Sequence, residues 1–430
     1  MKKRSLAGLL AVCVLLAGLT LIPSAAQQQP ACPCHPLRIT NPYAAVNWNT
    51  WGQYRVQLHT HTTASDGQST HAELIEAYFA AGYDALAITD HGVVDRGWIR
   101  PNHPPFDNVL PFLWERNIVG LAPERYAQIN AGYGRDGRPM IRIPFGNEQN
   151  PQSFDMVHVV SWFADWGHAI THITGNYRIP IRGVHRAGGI SIVAHPSIAH
   201  HAMQGGQHTP FFINQIQRDF EDFSSLLGIE VFNPHDITLW DILLQNLAPA
   251  GRNIFLFATD DAHNHTTQVD RRWVVSLMPA NTAANIRTNL ETGAFFSAVR
   301  TTNDRTQPEP VVTEIAIDDT TISIQTEHVY AIEWISNGEV FAHGNAVDLA
   351  DYLDVIGAYV RAELHGQHVL LYTQPFLLQY DDMPEPTFVP DDFVDPSDRD
   401  MFWPFVFRAV TGWIFDVAWR GYLWVTGLFA

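Results

Sequence analysis

The chain has 430 residues, of which 46% are hydrophobic, and this length fits one large folded core with additional segments. Its formal net charge of −18 argues against a nucleic-acid polymer as a partner, because proteins grip phosphate backbones with basic patches. A small anionic substrate is compatible with this charge if metal ions supply positive charge locally.

The N-terminus has the pattern of a signal peptide, which we assign to residues 1–26. A basic start at residues 2–4 precedes an apolar run at 6–22 and small residues at 24–26. An uncleaved anchor helix is the alternative, because the apolar run is long for a signal peptide. Either way, we expect an exported protein, whether periplasmic, extracellular or on the cell surface. Residues 27–53 then form an N-terminal extension.

Strands and helices alternate over residues 54–300, the predicted main domain. Alternation of this kind favours right-handed βαβ units and a parallel sheet, and seven strands are most simply arranged as a closed, slightly irregular (β/α) barrel. The predicted helices run from the capping box at Thr70 to Gly82, and over Pro123–Ala131, Ile179–Ala187 and Thr238–Leu247. The predicted strands are Arg55–His59, Ala85–Thr89, Ile141–Phe145, Met156–Ser161, Ile190–Ala194, Ile229–Phe232 and Ile254–Ala258.

Two segments depart from this alternation. Residues 92–138 are irregular and rich in proline, and their length predicts a lid or a substrate loop. Residues 301–380 alternate between apolar and polar side chains and predict a small, antiparallel, β-rich appendage. Within the appendage, Asn337-Gly338 predicts a hairpin turn.

The C-terminus predicts an amphipathic, aromatic-rich helix at residues 401–430, after a Pro- and Asp-rich linker at 381–400. Three charged residues, Arg408, Asp416 and Arg420, fall within a sector of about 120° when each residue turns the helix by roughly 100°. This favours in-plane contact with a membrane surface over a span, because charge is costly at the bilayer centre. Packing onto the barrel or onto a partner subunit is the alternative.

Residue types that bind metals follow most of the predicted strands. His59 and His61 project from the same side of the first strand, because side-chain direction alternates. A His-x-His pair alone is a weak signal, and a satisfied surface pair is its more common explanation. Five strand ends that agree are harder to attribute to core packing, because every buried ring nitrogen needs a partner. The residues at the other ends are His91, Glu148, His195, and Asp261 with His263.

Four motifs in this region resemble those of the polymerase and histidinol phosphatase (PHP) family of metal-dependent phosphoesterases. Their order and spacing match over about residues 54–300. The motifs are Leu58-His59-Thr60-His61 with Ser65-Asp66-Gly67, Ala87-Ile88-Thr89-Asp90-His91, Ser191-Ile192-Val193-Ala194-His195-Pro196, and Thr259-Asp260-Asp261-Ala262-His263.

The resemblance implies a distorted (β/α)7 TIM-like barrel that holds two or three divalent metal ions. Histidine with carboxylate suits Zn, Mn or Fe. Asp66, Glu148 and His195 are the implied catalytic residues, and Asn233 is expected to support a ligand from behind. The implied metal ligands are His59, His61, Asp66, His91, Glu148, His158, His195, Asp261 and His263.

The sequence departs from the family pattern at three places. Asp66 stands where some members have histidine, which bears on the third ion. Asp260 stands where serine is commoner, and we assign Asp261 as the ligand because it gives the Asp-x-His spacing. Family members often hold the substrate phosphate with an arginine near the third motif, but Ser197-Ile198-Ala199 occupies that position here. Arg271, Arg272 and Arg300 are the candidate substitutes.

These residues predict a metal-dependent phosphoesterase for a small phosphomonoester or phosphodiester. Clustered divalent ions lower the pKa of a bridging water and place a hydroxide in line with phosphorus. We expect Glu148 to bridge ions, and Asp66 or a metal-bound water to protonate the leaving oxygen. Hydrolysis of a carbon ester, lactone or amide by the same chemistry is the first alternative. A metal-binding surface protein without catalysis is the second.

Overall fold

The computed structural model describes residues 37–102, 117–152, 157–167, 177–199, 202–381 and 383. The predicted signal peptide, nearly all of the linker and the C-terminal helix lie outside these residues. Within them, no helix combines the length and the apolarity needed to cross a membrane. The helices are α1 (His71–Ala80), α2 (Pro123–Asn130), α3 (Arg178–Arg186), α4 (Pro210–Asp222), α5 (Pro234–Leu247) and α6 (Ala283–Thr292).

The described part of the chain has a mixed α/β architecture, as predicted. Its strands are β1 (Arg38–Thr40), β2 (Gly52–Gln57), β3 (Ala85–Leu86), β4 (Ile141–Arg142), β5 (Asn147–Gln152), β6 (Val157–Trp162), β7 (Ile190–Val193), β8 (Met203–Gln204), β9 (Gln207–His208), β10 (Leu226–Val231), β11 (Phe255–Ala258), β12 (Arg272–Met278), β13 (Phe295–Arg300), β14 (Val311–Asp318), β15 (Thr321–Glu327), β16 (Val329–Ser336), β17 (Glu339–His343), β18 (Ala346–Asp348), β19 (Tyr359–Gly366), β20 (Val369–Tyr372) and β21 (Phe376–Gln379).

Local signals set most of the helix boundaries. Thr70 caps α1, and both bonds of its capping box with Glu73 are present. Helix α5 begins four residues before its predicted start, at Pro234, because Asn233 and Asp236 form a second capping box that the apolar periodicity does not reveal. The hairpin β16–β17 turns at Asn337 and Gly338, whose φ angles are +53° and +78°.

The predicted strands divide between two sheets, and the described residues contain no closed barrel. The larger sheet has the order β1-β21-β19-β20-β13-β12-β2-β3-β4, with β16 and β17 attached at β19. The smaller sheet has the order β11-β10-β7-β6-β5. The described residues therefore do not confirm the expected closed parallel barrel.

One reason is the direction of β6, which pairs antiparallel with both β5 and β7. The described residues between β4 and β5, and those between β5 and β6, contain no helix that could form a crossover. Without a crossover, consecutive neighbouring strands pair antiparallel. By contrast, β2, β3 and β4 pair in parallel, as do β7, β10 and β11.

The two sheets meet where the strands carry the candidate ligands. Isolated parallel bridges join Thr60 to Ala262 and His91 to Glu148, beyond the ends of the regular strands. Below these bridges, apolar side chains from both sheets form one core, which includes Leu58, Trp162 and Phe257. The bridges and the shared core bring the ligand-bearing strand ends to one edge.

Candidate metal centre

Three overlapping groups of histidine and carboxylate side chains lie at this edge. In each group the ligand atoms are within 4.8 Å of one another. His195 joins them through a 3.2 Å contact between its Nε2 and Glu148 Oε1, so all nine predicted ligands lie together. We refer to the nine residues as the central cluster. The groups are His59–His61–Asp261, His91–Glu148–His158 and His61–Asp66–His91–His263.

Glu148 lies in the middle of the central cluster, with one oxygen directed to each side. Its Oε1 lies 2.8 Å from His158 Nδ1 and 3.2 Å from His195 Nε2. Its Oε2 lies 3.0 Å from both His61 Nε2 and His91 Nδ1, and 3.3 Å from His59 Nε2. The bridging position that the sequence predicts for Glu148 fits this arrangement.

The side chains of His59, His61, Asp261 and Glu148 fit a tetrahedral ion. The two Nε2 atoms are 3.0 Å apart, and each lies 3.1–3.3 Å from Asp261 Oδ1. Ligand bonds of about 2.0–2.1 Å in a tetrahedron require edges of about 3.4 Å. Glu148 Oε2 and Asp261 Oδ1 are buried, yet neither receives a hydrogen bond of good geometry from the described residues. Buried oxygens of this kind need a positive partner, which a divalent ion would supply.

The third group forms the exposed edge of the central cluster. His91 connects this edge with the interior, because its Nδ1 faces Glu148 and its Nε2 lies 3.3 Å from Asp66 Oδ2. His263 Nε2 also lies 3.3 Å from Asp66 Oδ2. The Asp66 side chain is 54% exposed and that of His263 is 28% exposed, whereas His59, His61 and Glu148 are fully buried. The cluster is therefore open to solvent on the side of Asp66 and His263.

The antiparallel direction of β6 explains why His158 belongs to the cluster despite its place early in the strand. The ligands that follow β2, β3, β7 and β11 lie beyond the carboxyl ends of those strands, whereas Glu148 is the second residue of β5. Since β6 runs the opposite way beside β7, its first residues lie at the same edge as His195. His158 Nδ1 lies 3.1 Å from His195 Nε2.

The backbone takes unusual conformations around these ligands. His195 and Asp261 have φ angles of +27° and +50°, which residues other than glycine rarely adopt. Glycine is needed at Gly146, two residues before Glu148, because a Cβ there would lie 2.2 Å from the carbonyl oxygen of Ile88. Such outliers at the ligands themselves indicate a site whose geometry overrides local backbone preference.

Without an ion, the carboxylates of the cluster raise the pKa of several of its imidazoles, among them His59 and His91. The pKa of Glu148 is held well below its usual range, because the charges of His158, His91 and His59 outweigh the effect of burial. The pKa of His59 is raised well above its usual value: burial opposes this shift, but Glu230, Asp261 and Glu148 prevail. His158 differs, because burial lowers its pKa to about 4.

The pKa of Asp66 bears on its predicted role as a proton donor. Burial raises this pKa, but contacts with His263 and His91 outweigh it and hold the pKa far below its usual value. A carboxylate that stays ionised at neutral pH is a better metal ligand than general acid. The electrostatics therefore favour Asp66 as a ligand of the exposed group.

Several residues that sequence reasoning did not single out support the cluster. Asp90 accepts hydrogen bonds from the backbone and hydroxyl of Thr62 and from Ser65, and so fixes the loop after His61. The Asn150 side chain lies between His91 Nδ1, at 2.7 Å, and His158 Nε2, at 3.3 Å. Glu230 is fully buried and contacts His59.

The adjacent acids of the fourth motif have separate environments. Asp260 accepts hydrogen bonds from the Tyr78 hydroxyl and from the backbone N–H groups of residues 270–272. Asp261 instead lies in the central cluster. Asp260 therefore holds the segment that precedes β12, and the Asp-x-His spacing marks the residue that the fold brings to the imidazoles.

The candidate substrate arginines make other interactions. Arg272 donates to the backbone carbonyls of Thr259, Phe232 and Asp260, and Arg300 pairs with Asp270 and Glu309. Arg271 donates to the Thr267 carbonyl.

Asn233, predicted to support a ligand, caps α5 and donates to Ser197. His235 is exposed, and His265 contacts Ser69 Oγ at 2.8 Å.

No protein-family model matches the sequence, and no curated protein matches it. Among solved structures, the chain is similar to a two-domain protein from Bacteroides vulgatus that contains a predicted PHP-like metal-dependent phosphoesterase. Identity is 13% and the TM-score is 0.40, over 82% of this chain and 92% of the other. An amidohydrolase from Chromobacterium violaceum, with bound sulfate and no metal, matches at 15% identity and a TM-score of 0.30, over 55% of this chain and 96% of the other.

A proposed metal-dependent phosphoesterase from Bifidobacterium adolescentis matches at 14% identity and a TM-score of 0.30, with the same two coverages. Two of these three proteins are described as metal-dependent phosphoesterases, one of them PHP-like. The TM-scores describe a partial likeness of fold. Functional assignment rests on the residues of the central cluster.

Proposed function

We propose that this protein is a metal-dependent hydrolase whose substrate is a small phosphomonoester or phosphodiester. The observation that carries the proposal is the clustering of Glu148 with eight other histidine and carboxylate side chains, among which buried oxygens receive no hydrogen bond of good geometry. Imidazoles mixed with carboxylates favour Zn, Mn or Fe, and we propose two or three ions.

Each part of the cluster has a role in this proposal. Bound divalent ions supply an acidified water as nucleophile and positive charge that offsets the phosphoryl oxygens. Glu148 contacts both buried groups of ligand side chains through its two oxygens and so fixes the distance between them. Asp66 and His263 lie at the exposed edge and meet the substrate first. His195 keeps Glu148 oriented from the interior side. In this proposal, the strand ends that carry the central cluster belong to a TIM-like arrangement of strands.

Hydrolysis of a carbon ester, lactone or amide is the second candidate. It is favoured by the engagement of Arg272 and Arg300, whose guanidinium groups already bind backbone carbonyls and carboxylates. A phosphate group would then depend for its binding on the metal ions, on neutral donors and on Arg271, which donates a single hydrogen bond to a backbone carbonyl. A carbonyl substrate carries less charge and does not need an arginine for its binding.

One experiment separates these candidates. The full-length protein, purified without chelators, is assayed for metal content and for hydrolysis of p-nitrophenyl phosphate, bis-p-nitrophenyl phosphate and p-nitrophenyl acetate. We expect at least two transition-metal ions per chain and hydrolysis of a phosphate substrate. This activity should be lost in His59→Ala and Asp261→Ala and kept in Glu333→Gln, a half-exposed carboxylate that also contacts a histidine.

Each other outcome has a definite meaning. Hydrolysis of the acetate alone would support the second candidate. Bound metal without any hydrolysis would support a metal-binding protein that does not catalyse. Absence of metal would overturn the proposal, and equal rates in all variants would identify a contaminating enzyme.

We also propose that the protein is exported and that residues 401–430 contact a membrane surface. The support is the signal-like pattern of residues 1–26 and the narrow charged sector of the C-terminal segment. Cell fractionation tests the first proposal. Deletion of the chain after Asp400 should abolish binding to anionic liposomes, and unchanged binding would refute the second.

A further inference from the structure

A second buried glutamate lies behind the central cluster. Glu230 belongs to β10, in which every residue is buried, and it is the strand's only charged residue. A carboxylate in such surroundings is costly unless hydrogen bonds compensate it. Its contacts therefore show what the fold uses it for.

Glu230 contacts three segments that carry ligands. Its Oε1 lies 2.9 Å from His59 Nδ1 and also accepts the hydroxyl of Thr259. Its Oε2 accepts the backbone N–H of His195 at 2.8 Å. Strand β10 lies between β7 and β11, so one side chain from it reaches the residues that follow both neighbours. Glu230 thus connects the segments of His59, His195 and Asp261.

The contact with His59 also sets which nitrogen is free. With Glu230 as acceptor, His59 Nδ1 carries a hydrogen, so Nε2 is the nitrogen that binds an ion once the ion displaces its proton. His59 Nε2 is the atom that lies within 3.3 Å of His61, Glu148 and Asp261. Outer carboxylates that fix the tautomer and ring orientation of a histidine in this way are common behind metal ligands.

Glu230 is also bonded to the strained part of the site. His195 has a φ angle of +27°, and the Glu230 bond goes to its backbone N–H. Both oxygens of Glu230 are engaged, whereas Glu148 Oε2 receives no hydrogen bond of good geometry. This difference separates the role of Glu230 from that of the ligand Glu148.

From these contacts we propose that Glu230 is a positioning residue: it fixes the tautomer of His59 and holds three ligand segments in place before an ion binds. The inference rests on the metal centre proposed above. It adds a residue outside the PHP-like motifs, and it predicts that metal affinity depends on a side chain that touches no ion.

The test uses Glu230→Gln, which keeps the size of the side chain but can no longer accept bonds at both ends. Zn²⁺ affinity is measured by competition with a chromophoric chelator, on the full-length protein. We expect a loss of about 10- to 100-fold, the usual effect of removing such an outer partner. The matched control is Asp84→Asn, because Asp84 is a fully buried, hydrogen-bonded carboxylate at the start of β3, away from His91.

If the role of Glu230 is purely structural, both variants will lower thermal stability, and the Zn²⁺ affinity of each will equal that of the wild type. Unchanged affinity in Glu230→Gln, when the wild type binds Zn²⁺, would overturn this inference and leave the proposed function standing. Failure of the wild type to bind Zn²⁺ would instead refute the proposed function.

A second measurement needs no folded variant. Long-range ¹H–¹⁵N NMR spectra of the wild-type, Zn²⁺-loaded protein report which nitrogen of His59 carries the hydrogen. We expect the Nδ1–H tautomer. The Nε2–H tautomer would overturn the inference, even if Glu230→Gln proved unable to fold.

Discussion

Two clusters in the described residues bring imidazole and carboxylate groups together, and they differ in burial and in pairing. The second, which we name the outer cluster, consists of Glu333, Glu363 and His365 on the neighbouring strands β16 and β19. Its side chains are 32%, 18% and 26% exposed. His59, His61 and Glu148 of the central cluster are fully buried.

The carboxylates of the outer cluster already have cationic or hydrogen-bonding partners. Glu333 and Glu363 are direct cross-strand neighbours, an arrangement that is unfavourable for like charges. Glu333 contacts His365 Nε2 at 3.0 Å, and Glu363 pairs with Arg361 at 2.7 Å. In the central cluster, buried oxygens of Glu148 and Asp261 have no such hydrogen bond. Proximity of ligand types alone therefore does not define a metal centre, whereas buried carboxylate oxygens that receive no hydrogen bond indicate one.

The strongest test of this difference is to remove the central carboxylate. Glu148→Gln removes a charge that contacts five histidines, so we expect the buried ions to be lost. Hydrolysis should fall by more than about 100-fold, the upper end for removal of an outer partner. Metal analysis and steady-state rates measure this. The matched variant Glu363→Gln should keep both, and loss of metal there would show that the two clusters are equivalent.

Asp66 tests whether the exposed edge behaves differently from the buried interior. Asp66→Asn removes a ligand only from the third group, so we expect one ion fewer per chain with the buried ions kept. If Asp66 were the general acid, hydrolysis would fall by at least about 10²-fold. Because its pKa lies far below the usual value, we expect a smaller loss. A pH–rate profile that loses its alkaline limb in this variant would restore the proton-donor role, because a general acid is active only while it is protonated.

Sequence reasoning identified the residues that form the central cluster more completely than it identified the residues that support them. His59, His61, His91 and His195 could be found because motif spacing ties each to a strand end. The closed barrel was not borne out, because hydrophobic periodicity does not report which strands pair, or that β6 is reversed. Glu230 escaped notice although a signal was present: a single charge within the apolar run Leu226–Val231 must have a partner.

Burial alone does not set the charge of an imidazole in the central cluster, and pH titration can show this. Burial lowers the pKa of His263, but the bond to Asp66 and the charges of Asp261 and Asp66 raise it to about 8. His158, with Glu148 beside it, is instead lowered to about 4. In metal-free protein, NMR titration should show a midpoint near pH 8 for His263 and a neutral His158 above pH 5.

The sign of the stability effect follows from the raised pKa of His263. Because this pKa is higher in the folded protein than in the unfolded chain, the contribution to stability is full below about pH 6.5 and disappears as the pH rises through about 8. In Asp66→Asn the midpoint of His263 should move down toward about 6.5. An unmoved midpoint would show that Asp66 does not govern this group.

The smallest expected effect concerns the outer cluster. The double variant Glu333→Gln with His365→Ala removes a half-exposed pair, and such pairs contribute about 0–1 kcal/mol to the free energy of unfolding. We expect metal content and hydrolysis to equal those of the wild type, and denaturant unfolding to change by no more than about 1 kcal/mol. Loss of one ion per chain would mean that paired, half-exposed carboxylates can hold metal here. Ions would then occupy both clusters, and the clusters would differ only in their affinity for metal ions.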